Sequence, residues 1–300
     1  LGFFWLVVAG GPFWLTGLTL KLEYFDDRYA MPFMLGSSMI FAGLLGSVRR
    51  LDLLRILIIA LMAGAAVGLQ YKHSIGYAWD WSMQKYFFQQ MVWRMPDLQP
   101  GTTILVNELP MKLYTDNSLT APLNWIYDPD NHTQTIQYMM YYPTIRLGSG
   151  LKSLEPDQPI IQNYRAADFV GNTSKILTII YEPPGCLRVL DAEVERDSWL
   201  VPEILRKTMV LNNLAVIYPE QASGKQVKLP EEIFGAELAK GWCYYFEKAE
   251  LARQLQDWKR VTILGDTAFG LDDNPNDPNE RLPFIEGYAR EHQIEKAVNL

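Results

Sequence analysis

The side chains with most scope for chemistry fall into two groups. The first is the loop Glu23-Tyr24-Phe25-Asp26-Asp27-Arg28-Tyr29-Ala30-Met31-Pro32, which sets the adjacent carboxylates Asp26 and Asp27 beside the guanidinium of Arg28. Such a trio could hold a divalent cation, act as a base, or bind a lipid phosphate through the arginine. A charged loop is also what any membrane helix needs to fix its boundary. The second group is aromatic: Trp79, Trp81 and Trp93 stand among Tyr77, Tyr86, Phe87 and Phe88 between Tyr71 and Arg94. Their rings could line a groove for a sugar or a lipid headgroup, or pack as an interfacial belt with a dry ring and a wet polar tip.

Other reactive residues are scattered. His73, His132 and His292 have no second ligand at metal spacing, so neither a metal nor a cofactor is expected. Cys186 and Cys243 are far apart in sequence; a disulfide between them is permitted outside the cytoplasm, and geometry decides it. The serine-hydrolase elbow, the phosphate-binding loop and the dinucleotide glycine fingerprint are absent. Asn131-His132-Thr133 and Asn172-Thr173-Ser174 are glycosylation sequons, which matter only in a secretory pathway that uses them.

The elements that position these groups begin with apolar stretches. Leu1 to Leu20 is uncharged over about 20 residues, which at 1.5 Å per residue matches a hydrocarbon core of roughly 30 Å. Ala30 to Val48 is a second span, rich in glycine and serine that suit close helix packing. Ile56 to Leu69 is a shorter third, extended by Arg55 and Gln70 reaching to the interfaces. The connector Ser47 to Arg55 holds three arginines, which places it in the cytoplasm and everything after about Gln70 outside.

Residues 1–70 carry five basic and four acidic groups of the 27 and 34 in the chain, so the remainder holds 22 and 30 and is acidic by 8. An acidic soluble part repels a phosphate backbone, which excludes nucleic acid as a partner. The chain opens without methionine and stops inside a helical pattern, and it reads as an internal piece of a longer protein.

Four regions follow: transmembrane helices over 1–70, an aromatic-rich juxtamembrane helix over 71–100, an extracytoplasmic α/β domain over 101–228 and a helical region over 229–300. The α/β reading rests on strands at Thr102 to Val106, Thr133 to Tyr142, Lys175 to Tyr181 and Leu187 to Leu190, with a helix at Asn117 to Tyr127, giving a sheet of four or five strands. Glu182-Pro183-Pro184-Gly185-Cys186 forces a rigid turn. In the last region Leu251-Ala252-Arg253 aligns with Tyr288-Ala289-Arg290, and Trp258, Val261 and Leu264 align with Ile294, Ala297 and Leu300, as two helical hairpins.

Over about Phe234 to Leu300 these repeats resemble the tetratricopeptide family, which implies a groove for a protein partner. The whole chain resembles the C-terminal part of GT-C-type membrane glycosyltransferases: the Asp27-Arg28-Tyr29 loop with Pro32 enters a glycine-rich helix, a basic turn and another helix before an α/β tail. It also resembles bacterial multi-pass membrane proteins with stretches like Gln89 to Pro96 and Pro122 to Tyr127. The GT-C resemblance implies a lipid-linked sugar at the outer face and a catalytic acid in an upstream loop, so no numbered position here takes that role. Two functions are expected: an extracytoplasmic recognition or assembly module set on the lipid bilayer, or the end of a glycosyltransferase using a polyprenyl-phosphate sugar. Whether the chain is an enzyme is open.

Overall fold

The computed structural model describes residues 1–19, 27–47, 52–112, 114–164, 166–195, 200–219 and 227–300. The chain forms two compact units, Leu1–Trp79 and Asp80–Leu300.

In the first unit, α1 (Gly2–Thr16) ends at Gly17, whose left-handed φ of 67° a glycine adopts without penalty. A short 3-10 turn, Asp27–Ala30, leads into α2 (Met31–Ser47). The two helices meet where neither has a side chain. A Cβ on Gly2 would lie 2.7 Å from the Gly36 carbonyl oxygen, and one on Gly36 would lie 2.8 Å from that of Gly2. Only glycine allows this approach, as in tightly paired membrane helices.

Two helices here are long and apolar enough to cross a bilayer, Arg28–Ser47 and Asp52–Arg94, rather than the three expected. The 15 residues of α1 cover about 22 Å, short of a hydrocarbon core of roughly 30 Å. The stretch Ile56 to Leu69, short as an apolar run, instead belongs to the longest helix, α3 (Asp52–Arg94), of 43 residues.

The aromatic segment continues α3 without a break instead of lying as a separate surface helix. From Phe87 to Arg94 every residue is buried, which makes this end of α3 a core helix of the second unit.

That unit is built on a β-α-β layer. A short β1 (Asp97–Leu98) precedes β2 (Thr102–Val106) and α4 (Asp116–Tyr127). Thr115 caps α4 by accepting from the Ser118 N–H, and the Ser118 hydroxyl accepts from the Thr115 N–H. Then come β3 (Thr135–Ile136), β4 (Tyr138–Tyr141), a helical turn α5 (Pro143–Arg146), the hairpin β5 (Pro159–Asn163) and β6 (Asp168–Asn172), β7 (Ile176–Ile180) and β8 (Arg188–Val189).

The main sheet has the order β4-β2-β7-β8, with β2 parallel to β4 and β7, and β8 antiparallel at the edge. Ile104 sits opposite Met140 and Leu177. All five residues of β2 are buried, as a central parallel strand covered on both faces must be. Phe87, Phe88 and Met91 of α3 and Leu119 and Leu123 of α4 cover one face; Phe169 and Ile160 of the hairpin cover the other. The hairpin and β3 form a separate sheet of three strands, and β1 pairs with a late β9 (Ile217–Tyr218).

Between β8 and the C-terminal helices lie three short turns of helix, α6 (Ala192–Glu195), α7 (Glu203–Thr208) and α8 (Glu231–Phe234). The helical region expected from Leu229 therefore begins in earnest only at α9 (Trp242–Gln254), followed by α10 (Trp258–Ala268), α11 (Leu282–Arg290) and α12 (Ile294–Val298). Pairs α9–α10 and α11–α12 turn in the same way. The Asp257 N–H reaches back to the Ala252 carbonyl at 2.9 Å, and the Gln293 N–H to that of Tyr288 at 2.8 Å, each closing a helix end with a six-residue loop. Where α10 crosses α11, a Cβ on Gly287 would strike Val261.

Two links join these helices to the sheet layer. Cys186, after the turn at Pro183-Pro184, is disulfide-bonded to Cys243 of α9. Beside it, the Glu280 carboxylate accepts from the Cys186 N–H and the Trp242 indole N–H, each at 2.7 Å.

Candidate functional site

A cleft of about 470 Å³ in the second unit is walled by the end of α3, by α8 and by α9. Helical spacing sets two of its sides: Gln89, Val92 and Trp93 share one face of α3, and Tyr244 and Lys248 stand one turn apart on α9. Trp93 meets Tyr244 edge to face at 5.2 Å. Its indole N–H donates to Glu237 at 3.3 Å, and the Lys240 ammonium lies 4.9 Å from the Tyr244 ring centre. The rim is polar and mixed in sign, with Lys228, Lys240 and Lys248 against Glu231 and Glu237.

On the next positions of the same two helices are buried charges. Arg94 is 2% exposed and Glu247 is 0% exposed. The Arg94 Nη2 donates to Gln254 at 2.9 Å, but its Nε and Nη1 and both Glu247 carboxylate oxygens have no hydrogen-bond partner among the described residues. Burial pushes the Glu247 carboxyl well above the usual carboxylate range, against the pull of Arg94. It also lowers the Arg94 guanidinium, against the opposing charges of Glu250 and Glu247. Around them, Arg253 is held by Glu250 at 3.1 Å and Arg290 by Glu286 at 3.3 Å, so the cluster is balanced and not a simple anion site.

The residues singled out in the sequence take different places. Asp26 lies outside the described residues. Asp27 opens the 3-10 turn, and Arg28 lies 5.0 Å from the Tyr29 ring and donates to its hydroxyl at 3.3 Å. Of the tryptophans, Trp79 is 49% exposed at the end of the first unit. In the second unit Trp81 is stacked on Phe234 at 5.6 Å, and Trp93 is only 6% exposed. Trp81 and Trp93 thus work as packing residues, not as an open aromatic surface, and only Trp93 reaches the cleft.

Sequence reasoning missed Tyr244, Glu237 and Lys240, which lie in a segment read as plain helix. The one visible signal was the one-turn spacing of Tyr244 and Lys248.

Among the described residues no group of three His, Cys, Asp or Glu side chains could hold a metal ion. Comparison with protein-family models, with curated proteins and with solved structures finds no match to this chain.

Proposed function

We propose that the chain is a membrane-anchored recognition module whose second unit lies outside the cytoplasm and acts by binding. The observation that carries this placement is the disulfide between Cys186 and Cys243. Such bonds persist in oxidising compartments and are reduced in the cytosol. The arginines of the Ser47 to Arg55 connector support the same orientation, since basic loops stay inside. Binding rather than catalysis is supported by the cleft at Trp93, whose described lining mixes apolar side chains such as Val92 and Leu229 with amide, aromatic and ionic ones and includes no histidine or free thiol. The stacked hairpins α9 to α12 add a surface suited to a protein partner.

A second reading, the end of a GT-C-type transferase that uses a polyprenyl-phosphate sugar, gains support from one feature, the aromatic cleft at Trp125 described below, which on that reading would hold a neutral acceptor sugar and not the phosphate-bearing donor.

The placement is tested in intact cells with a membrane-impermeant thiol reagent and single reporters at Ser47→Cys and Ser149→Cys. Labelling is expected at position 149 and not at 47, with the native cysteines reacting only after reduction. Labelling at 47 alone, or reaction of the native pair without a reductant, overturns it.

A further inference from the structure

Helix α4 turns its apolar residues Leu119, Leu123 and Ile126 into the core. Asn117, Ala121, Trp125 and Asp128 recur at four, four and three residues, so they share another face. That face lines a cleft of about 330 Å³, closed opposite by the loop at Asn131 and by Tyr164 next to the β5–β6 hairpin.

Trp125 is 49% exposed in this cleft. The neighbouring aromatic, Tyr127, is buried and donates to the Met95 carbonyl at 2.7 Å. The fold therefore uses Tyr127 and has no evident use for the Trp125 ring, although burying an indole is strongly favourable.

The polar groups of the cleft separate into spent and spare. Asn124 is spent: its amide donates to the carbonyls of Thr120 and Tyr138 and accepts from the N–H groups of Gln137 and Tyr138. Asn131 is spent on Asp128, Thr133 and Thr135. Tyr164 donates to the Asn117 Oδ1 at 2.7 Å, which fixes that amide and leaves its NH₂ spare. The Trp125 indole N–H and the Asp128 Oδ1 also have no protein partner among the described residues. Among the described residues no lysine or arginine lines the cleft.

We infer that this cleft binds a neutral saccharide, with one sugar face stacked on the Trp125 indole and hydroxyls bonded to the Asn117 amide and the Asp128 carboxylate. A sugar ring presents a C–H face to an aromatic plane and donors and acceptors around its edge, which is the pattern the spare groups match. Among the described residues the Asp128 carboxylate has no cation beside it in the cleft, which disfavours phosphates and sialic-type acids, so the inferred ligand carries no negative charge. The cleft is near the lower end of small-ligand sites, enough for one or two sugar rings. The inference holds under either function proposed above and does not depend on topology.

The test uses the full chain in nanodiscs, free of glycoside detergents, and a panel of neutral mono- and disaccharides followed by saturation-transfer NMR and calorimetry. Binding by at least one sugar of the panel is expected, weakened about tenfold by Trp125→Ala and by less than about threefold by Trp125→Tyr. Ala121→Phe, on the same exposed face, is expected to block the cleft with an unchanged unfolding temperature. No binding by any panel member up to about 10 mM, binding indifferent to both Trp125→Ala and Ala121→Phe, or equal affinity for a sugar phosphate overturns it.

Discussion

Gln256 and His292 hold the same left-handed backbone conformation, φ 58° and 59°, at matching positions in the turns of two helical hairpins. Each is followed by a residue whose N–H closes the helix end behind it, so the two turns are one design used twice.

A side chain in that conformation costs about 1–2 kcal/mol, which glycine avoids at the expense of some unfolded-state entropy. Both side chains are exposed, so their removal forfeits little packing. Gln256→Gly and His292→Gly are each expected to stabilise the chain by about 0.5–1 kcal/mol, read from unfolding midpoints. A loss of stability at either position would show that the side chain contributes more than the turn does.

Glu247 gives stability a pH dependence of a definite sign. Folded, its carboxyl holds the proton into a range where an unfolded glutamate has released it. Rising pH therefore favours the unfolded chain, and stability falls above the ordinary carboxylate range. Glu195 and Glu280 are shifted the same way and add to the slope. Glu247→Gln is expected to flatten the decline above the ordinary carboxylate range without abolishing it. Identical profiles for the two proteins would sink the idea.

The disulfide spans 57 residues of sequence. Closing a loop of that size removes denatured-state entropy equivalent to about 4 kcal/mol in the chain-entropy model, and measured values run at roughly 2–4. Cys186→Ser with Cys243→Ser is expected to cost that much, and a reductant should have no further effect on the double variant.

Asp116 is 1% exposed at the start of α4 and grips Arg146 through two hydrogen bonds of 2.6 and 2.7 Å. The contact raises the Arg146 guanidinium above its ordinary value. Removing one partner of a buried pair strands the other. Asp116→Ala, which strands the guanidinium, should cost about 3–5 kcal/mol, while Arg146→Met, which strands the buried carboxylate, should fall in the same range. A small effect from either, by thermal unfolding, contradicts a structural role for the pair.

The sheet was the most legible part of the chain. Thr102 to Val106 and the run from Lys175 are continuous apolar stretches, the mark of strands buried on both faces, and the capped helix before Tyr127 starts one residue earlier than its pattern suggests. The hairpin Pro159–Asn172 was not legible, because Ile160 and Phe169 face the core while their apolar neighbours Ile161 and Val170 are exposed, so no clean alternation marks the strands. The length of α3 was hidden for a different reason. The apolar run stops at Leu69 and an aromatic stretch of different character follows, so the two read as separate elements, yet a change of composition does not end a helix and nothing between them requires a turn. At the site, Trp93 was found with groove lining and packing both left open, because an aromatic residue in a mixed sequence gives no sign of which ring is dry. Trp125 was seen in a quoted stretch but given no role, since exposure belongs to the fold and not to composition.

The Cys186–Cys243 bond also decides what happens when the backbone is cut. A protease acting anywhere from residue 187 to 242 would leave two chains still fastened by sulfur, so the nicked protein keeps its C-terminal hairpins and releases them only when a thiol opens the clasp.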